Sequence, residues 1–157
     1  MGKCFGYVCH PSSSLCRMMR LTFSSSGLGA GISATAFNRH DILTTIVEID
    51  PAVYDAARLF FGLPNPGPGK VFLEDARTWV AQRRASLEER TTVLGEWQKD
   101  SLYDIVVHDC FSGGGVPQHI FTMEFWEDLK AVIHPDAVVV VVRRVIFPPV
   151  FLTFTTG

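Results

Sequence analysis

Short apolar runs alternate along this chain with stretches in which apolar residues recur at helical spacing. The runs are rich in β-branched residues, which favours strands at residues 21–26, 42–48, 71–73, 103–108 and 137–142. The stretches between them predict helices at residues 32–38, 51–61, 76–85 and 121–133. Continuous apolar strands that alternate with helices are typical of an α/β protein with a doubly wound, mostly parallel sheet.

The same pattern divides the chain into three parts. Residues 1–20 have neither a helical nor a strand period and are expected to be irregular, residues 21–142 hold the α/β domain, and residues 143–157 form an irregular tail. The predicted sheet is thus truncated after its fifth strand. We expect that strand, at residues 137–142, to be buried on both faces and to leave one edge of the sheet exposed.

Composition limits the class of protein. The 157 residues fit one domain, and a chain with 47% hydrophobic and 19% charged residues is too apolar to be disordered. A net charge of -2 offers no positive surface for a phosphate backbone, so we expect no nucleic-acid partner. No apolar run approaches the roughly 18 residues of a membrane span, so we expect no membrane partner either.

The cysteines predict neither a disulfide scaffold nor a metal site. Cys4, Cys9 and Cys16, together with His10, are spaced unlike any common zinc motif. Four cysteines are ordinary usage for this length, and the first residues lack the apolar stretch of a signal peptide. We therefore expect a cytoplasmic protein without a bound metal.

A glycine-rich turn follows the first predicted strand. Gly27, Gly29 and Gly31 let the backbone bend sharply and approach a ligand, and the helix that follows offers unpaired amide groups. Ile32 replaces the last glycine of a GxGxxG dinucleotide motif, so the turn is similar instead to nucleotide sites of the S-adenosylmethionine type. A turn that serves only helix packing is the alternative.

Two acids lie where the next two strands end, and in a parallel sheet these ends face the same crevice. Glu48 ends the second strand, where a carboxylate can accept hydrogen bonds from both ribose hydroxyls; the alternative is an exposed acid. Asp75 follows the third strand. We expect it to contact an adenine amino group, to cap the next helix, or to do both, since it has two oxygens.

The fourth strand ends in His108, Asp109 and Cys110, which supply the candidate for catalysis. Asp109 is expected at the rim of the crevice, where a carboxylate orients or deprotonates an amine. The alternative is an Asp that only bonds loop amides. His108 points the opposite way by strand alternation and is expected to be packed, and Cys110 is expected to be a half-buried small residue.

From Gly27 to Val142 the chain resembles the nucleotide-binding domain of the spermidine synthase-like family of polyamine aminopropyltransferases. The resemblance rests on the glycine turn, on Val-Glu-Ile-Asp-Pro at 47–51, on Glu-Asp-Ala-Arg at 74–77 and on Tyr-Asp-Ile-Val-Val-His-Asp at 103–109. It implies a Rossmann-like fold of the methyltransferase type. It also implies S-adenosylmethionine or decarboxylated S-adenosylmethionine as the co-substrate.

The resemblance further implies roles for single residues. Glu48 would hold the ribose, with Ile49 beside it in the cofactor site. Asp75 and Ala76 would hold the adenine, and Asp109 would be the base for the attacking amine. The implied reaction transfers an aminopropyl or methyl group to a small-molecule amine acceptor, as in polyamine biosynthesis. The resemblance is also compatible with a homodimer.

Two positions depart from the family pattern. Ala30 and Ser112 stand where aminopropyltransferases carry acids, and a dicationic substrate needs compensating carboxylates. The departure favours transfer to another nucleophile over genuine polyamine synthesis. A second hypothesis, from a different class, is a catalytically inactive remnant or interaction module that retains the fold.

Overall fold

Strands and helices alternate along the part of the chain that the computed structural model describes, which is residues 7–8, 17–18, 20–24, 28–94, 102–110, 115 and 117–142. The strands are β1 (Tyr7–Val8), β2 (Arg17–Met18), β3 (Arg20–Ser24), β4 (Leu43–Val47), β5 (Val71–Phe72), β6 (Tyr103–His108) and β7 (Ile133–Val141). The helices are α1 (Ile32–Arg39), α2 (Pro51–Phe61), α3 (Ala76–Leu94) and α4 (Met123–Val132), with a 3-10 helix at Gln118–Ile120 before α4.

Five of the strands form one parallel sheet in the order β5-β4-β3-β6-β7. From the central β3 the chain moves outward through β4 and β5, and then returns to the other side of β3 for β6 and β7. This reversal is the switch point beside which open α/β sheets bind ligands. The predicted doubly wound parallel sheet is confirmed.

The sheet separates two apolar cores. Ile46 and Val47 are neighbours in β4 and are each 1% exposed, but they belong to different cores because successive strand residues point to opposite faces. Ile46 packs with Ala34 of α1 and Ala57 of α2, whereas Val47 lies in the core that α3 and α4 cover. Burial on both faces explains why β4 is continuously apolar at this end.

Helix α2 begins and ends where its sequence predicts. The Asp50 side chain accepts a hydrogen bond from the Ala52 amide at 2.8 Å, and Pro51 suits the first helical position because it has no amide hydrogen to leave unpaired. Gly62 ends the helix at φ 68°, a left-handed conformation that glycine adopts without a Cβ clash. These caps fix α2 directly after the carboxyl end of β4.

Helix α3 continues to Leu94, beyond the helix predicted at residues 76–85 and into the charged stretch at 86–100 that the sequence pattern leaves open as a helix extension and loop. The extension is charged, so no apolar period reveals it. Arg84 bonds Glu88 at 2.7 Å and Asp128 of α4 at 2.9 Å, and Leu87 is buried. Packing against α4 therefore sustains a helix that periodicity alone does not show.

Strand β7 confirms one expectation and corrects another. Among the described residues it is the edge strand beside β6, as expected. The expectation of burial on both faces is wrong, because Val138 is 57% and Val140 is 43% exposed. Val139 points the other way and packs on the core beneath α3 and α4, so only one face of this strand has a cover in the described part of the chain.

Strand β7 also begins earlier than predicted and takes in the Pro135-Asp136 pair, which the sequence predicts as a turn. Tyr103 pairs with Ile133 and Ile105 pairs with Val138, so the β7 side of this ladder contains extra residues. A bulge tolerates proline because no ladder hydrogen bond is needed from its nitrogen. The predicted turn is therefore a bulge inside the strand.

The N-terminal segment contains a pairing that the sequence pattern did not predict. Strands β1 and β2 pair antiparallel, with Tyr7 opposite Met18 and Val8 opposite Arg17. Two-residue strands are too short to show an alternation of polar and apolar positions. The expectation of an irregular segment therefore missed this antiparallel pairing.

Candidate functional site

The carboxyl ends of β3, β4, β5 and β6 meet at one edge of the sheet because neighbouring strands are parallel. Glu48 follows β4, Asp75 comes shortly after β5, and Asp109 follows β6. Two strand spacings, about 10 Å, separate the end of β4 from the end of β6. The structure thus brings the three predicted acids to a common edge, with the glycine turn between them; Gly27 lies outside the described residues.

The turn after β3 requires glycine at two positions for different reasons. Gly31 has φ 70°, and a Cβ there would lie 2.8 Å from Cδ1 of the buried Leu63. Gly29 has φ 52°, but a Cβ there would meet no atom within 4 Å. Gly31 therefore packs the turn against the chain after α2, whereas Gly29 borders open space.

Glu48 is buried rather than exposed, with only 1% of its surface accessible. Its Oε2 accepts a hydrogen bond from the Leu28 amide at 3.0 Å, and its Oε1 accepts one from the Asp50 amide at 2.9 Å. These bonds tie the glycine-rich turn and the start of α2 to the end of β4, a structural role that the sequence did not predict. A carboxylate has about four acceptor positions, so about two remain for other donors.

Asp75 caps α3 as predicted and also contacts a residue far along the chain. Its Oδ1 accepts hydrogen bonds from the Arg77 amide at 3.0 Å and the Thr78 amide at 3.1 Å. Its Oδ2 lies 2.8 Å from Nε2 of His119, in the 3-10 helix. Burial raises the pKa of Asp75, but the bonds from His119 and the two amides together outweigh burial and hold the pKa below its usual value.

His119 is the residue that sequence reasoning missed at this site. It stands 44 positions from Asp75, and neither spacing nor a motif connects the two. They meet because the chain after β6 packs against the first turn of α3, where Nη1 of Arg77 donates to the His119 carbonyl oxygen at 3.4 Å. Only the tertiary structure could have pointed to this histidine.

The surface beside Asp75 combines an open amide with apolar side chains. The Ala76 amide has no acceptor among the described residues, as is usual in the first turn of a helix. Ile49 after β4 and Leu73 after β5 are each 46% exposed, although both are large and apolar. A flat, partly apolar ring with hydrogen-bonding edges, such as adenine, matches this combination.

Asp109 differs from the other two acids because its carboxylate has no hydrogen-bond partner within the described ranges. It is half-buried, and burial raises the pKa of its carboxyl group. The alternative role, bonding to loop amides, involves residues 111–114, which lie outside the described residues. A carboxylate with a raised pKa is a stronger base than an ordinary Asp.

The residues on either side of Asp109 are packed into the core. His108 is fully buried among three aromatic rings whose centroids lie 4.8 to 5.3 Å away, those of Phe121, Phe125 and Trp126. Burial lowers the pKa of His108 to about 4, against the opposing effect of a hydrogen bond to the Ile120 carbonyl, so the ring is neutral at physiological pH. Cys110 is 1% exposed, more buried than expected, and its Sγ lies 3.4 Å from Nδ1 of His108. The prediction that His108 is packed is confirmed.

The described residues contain no candidate metal centre, since nowhere among them do three His, Cys, Asp or Glu side chains come together. Cys4, Cys9, His10 and Cys16 lie outside the described residues. In the described part of the chain no helix has both the length and the apolar character needed to cross a membrane.

Known proteins are similar to this chain in sequence. A profile of the spermine/spermidine synthase domain matches residues 29–148. Among curated proteins, an N-terminal histidine N-methyltransferase of Emericella nidulans is 39% identical over 116 residues. A polyamine aminopropyltransferase of Vibrio vulnificus is 32% identical over 116 residues. Both alignments take in 73% of this chain, which spans only 18% of the length of the first relative and 34% of the second.

Solved structures share the fold. Human methyltransferase-like protein 13, in complex with SAH, superimposes with a TM-score of 0.60 at 22% identity, over 78% of this chain and 52% of that chain. A probable spermidine synthase from Corynebacterium glutamicum gives 0.55 at 22% identity, over 78% and 39% of the two chains. A SAM dependent methyltransferase from Agrobacterium tumefaciens gives 0.55 at 16% identity, over 80% and 38%. These likenesses establish a Rossmann-like fold of the methyltransferase type.

Proposed function

Because this chain belongs to the spermine/spermidine synthase domain family, we propose that it binds S-adenosylmethionine or its decarboxylated form and transfers an alkyl group from it to an amine. The observation that carries the proposal is the arrangement of acids at the carboxyl edge of the sheet. Glu48 and Asp75 are tied to backbone amides, whereas Asp109 has no partner among the described residues. The first two suit recognition and the third suits proton transfer.

In this proposal the nucleoside lies across the ends of β4 and β5. The remaining acceptor positions of Glu48 take the ribose hydroxyls, Oδ2 of Asp75 takes the adenine amino group, and the Ala76 amide donates to a ring nitrogen. Ile49 contacts a flat face of the adenine, and this contact accounts for the exposure of a large apolar side chain at this position. The open space at Gly29 accommodates the aliphatic substituent on the sulfur of the co-substrate.

The reaction joins the acceptor nitrogen to a carbon of the co-substrate. The lone pair of a neutral amine attacks the methyl carbon, or the aminopropyl methylene carbon, that is bound to the sulfonium sulfur. The carbon–sulfur bond breaks, and its electron pair stays on the sulfur, which leaves as a neutral thioether. Asp109 accepts the proton that the nitrogen gives up, and its raised pKa favours that transfer.

Methyl transfer is the better-supported form of the reaction. Ala30 and Ser112 stand where the resemblance leads us to expect carboxylates for a dicationic amine. Of the two curated relatives, the N-methyltransferase has the higher identity. One relative is named an N-methyltransferase and the other a polyamine aminopropyltransferase, so an amine acceptor fits either form.

Transfer of label from the co-substrate tests the proposal. The purified chain is incubated with S-adenosylmethionine labelled in its methyl group, or with its decarboxylated form labelled in the aminopropyl group. A peptide with an N-terminal histidine and a diamine serve as acceptors. We expect label on the acceptor nitrogen and an equal amount of the thioether product. Binding of S-adenosylhomocysteine without any turnover would support the inactive module instead, and absence of binding would refute the proposal.

A further inference from the structure

His119 contacts the acid that the proposed function assigns to adenine, although no motif marks it. We propose that His119 is a positioning residue that sets the preference of this subsite for a purine with a 6-amino group. It does so by fixing the direction in which Asp75 accepts a hydrogen bond. The inference rests on the proposed function and adds a specificity determinant to the same site.

Donors from the protein itself nearly fill the acceptor positions of Asp75. A carboxylate offers about four such positions. The amides of Arg77 and Thr78 take both positions on Oδ1, and Nε2 of His119 takes one on Oδ2 at 2.8 Å. One position on Oδ2 is left, and the Asp75 side chain is 28% exposed, so a ligand can reach it.

Capping of α3 does not need His119. Oδ1 alone accepts both amide bonds, and the two distances of 3.0 and 3.1 Å are ordinary. The last side-chain torsion of an Asp is broad, so a carboxylate held on one side can still turn. The bond from His119 to Oδ2 removes that freedom, and the remaining acceptor position of Asp75 then points in one direction.

His119 can fix Asp75 because its own backbone is held, although its ring is 48% exposed. Nη1 of Arg77 donates to the His119 carbonyl oxygen at 3.4 Å. The next residue, Ile120, is 2% exposed, and its carbonyl oxygen accepts a hydrogen bond from the buried His108 ring. A side chain on such a support loses little further freedom when it bonds Asp75.

The chemistry of the remaining position selects the ligand. A charged acceptor with one open position favours a group that can donate, such as the 6-amino group of adenine. A purine with hydrogen at that place leaves the last acceptor position of the Asp75 carboxylate unfilled in the complex, and an unfilled position on a charged, desolvated group weakens binding. The preference is sharper when the acceptor is fixed in direction, because less ordering is required on binding.

Titration of the full chain with two ligands tests the inference. The ligands are S-adenosylhomocysteine and its analogue with hydrogen in place of the 6-amino group. We expect the wild type to prefer the amino compound about tenfold, as a hydrogen bond to a charged group allows. His119→Ala should weaken the amino compound about fivefold and change the analogue by less than about twofold. His119→Gln keeps an N–H donor and should restore most of the preference.

His134→Ala is the matched control, because His134 lies at the amino end of β7, away from the site, where it contacts Asp136 at 3.8 Å. It should leave both ligands unchanged. Equal weakening of both ligands by His119→Ala, or an unchanged preference, would rule out the positioning role and leave the proposed function standing. If the wild type binds neither ligand, both the inference and the proposed function are wrong.

Discussion

The two halves of the sheet, β4 and β5 on one side of β3 and β6 and β7 on the other, hold their acids in different ways. At the ends of β4 and β5, Glu48 and Asp75 accept hydrogen bonds from backbone amides, so their geometry is set before any ligand arrives. At the end of β6, Asp109 accepts none from the described residues, and burial raises its pKa. Fixed acceptors suit recognition because the cost of ordering them is met during folding. A carboxylate that is free to take a proton suits catalysis.

The sheet itself shows the same contrast. Strand β4 is buried on both faces, with Ile46 and Val47 each 1% exposed. Strand β7, on the reacting side, exposes Val138 and Val140 on one face. The half of the sheet that we assign to nucleoside recognition thus contains β4, a strand that is covered on both faces. The half that we assign to proton transfer contains β7, which exposes one face. Three substitutions test whether this division holds.

The largest effect is expected from Asp109→Asn, which removes the proposed base from the reacting side. Turnover should fall about 10²–10⁴-fold, the usual contribution of a general base, while affinity for S-adenosylhomocysteine stays within about twofold. Initial rates with labelled co-substrate and a binding titration measure the two quantities. Asp136→Asn, on the β7 bulge with its side chain 87% exposed, is the matched control. Normal turnover in Asp109→Asn would show that the residue is structural.

The same variant has a pH signature. Because burial raises the pKa of Asp109, the folded chain binds this proton more tightly than the unfolded chain. Its favourable contribution to stability is complete at acid pH and is lost as pH rises through the raised pKa. Asp109→Asn should therefore raise Tm at neutral pH, and the gain should shrink as pH falls from the raised pKa to the ordinary pKa of Asp. A Tm difference that does not depend on pH would contradict this account.

Glu48→Ala should have the next largest effect, on the recognition side. We expect nucleoside binding to weaken by about 1–3 kcal/mol because the ribose hydroxyls lose their partner. The variant also loses the bonds to the Leu28 and Asp50 amides, so a lower affinity for one ligand does not by itself identify a lost contact with the ribose. The test therefore compares the affinities of two ligands that differ only in the ribose hydroxyls. The wild type should prefer a ribose over its 2′,3′-dideoxy form, and Glu48→Ala should not. A preference that survives the substitution would restrict Glu48 to its structural role.

The smallest effect on stability is expected from Val140→Lys, on the exposed face of β7. A surface substitution of this kind changes the free energy of unfolding by less than about 0.5 kcal/mol. It places a charge on an apolar edge strand, which should reduce self-association at high protein concentration. Light scattering against concentration measures this. Val139→Lys is the opposite-face control and should destabilise the chain, because Val139 packs on the core. Unchanged association would show that this strand is not a contact surface.

Local signals in the sequence predicted most of the fold. The strands were predicted from apolar runs, and the start of α2 from Asp50 and Pro51, because these features depend on neighbours in the chain. The end of α3 was not predictable in this way. The charged extension has no apolar period, and contacts such as that of Arg84 with Asp128 are made with another helix.

In the candidate site, too, the positions of the acids were predictable from the sequence and their contacts were not. Strand order placed Glu48, Asp75 and Asp109 at one edge, since each follows a predicted parallel strand. Their surroundings did not follow from the pattern. The burial of Glu48 depends on the amides that fold over it, and the partner of Asp75 comes from 44 positions away.

The sequence by itself determined the alternation of strands and helices, the caps, and the acids at the strand ends, because periodicity and capping act within a few residues. The tertiary structure decided which face of β7 is covered, how each acid is bonded, and that His119 meets Asp75. These properties belong to segments that are distant in the chain and adjacent in space. Their hydrogen bonds and burial exist only once the sheet has brought those segments together.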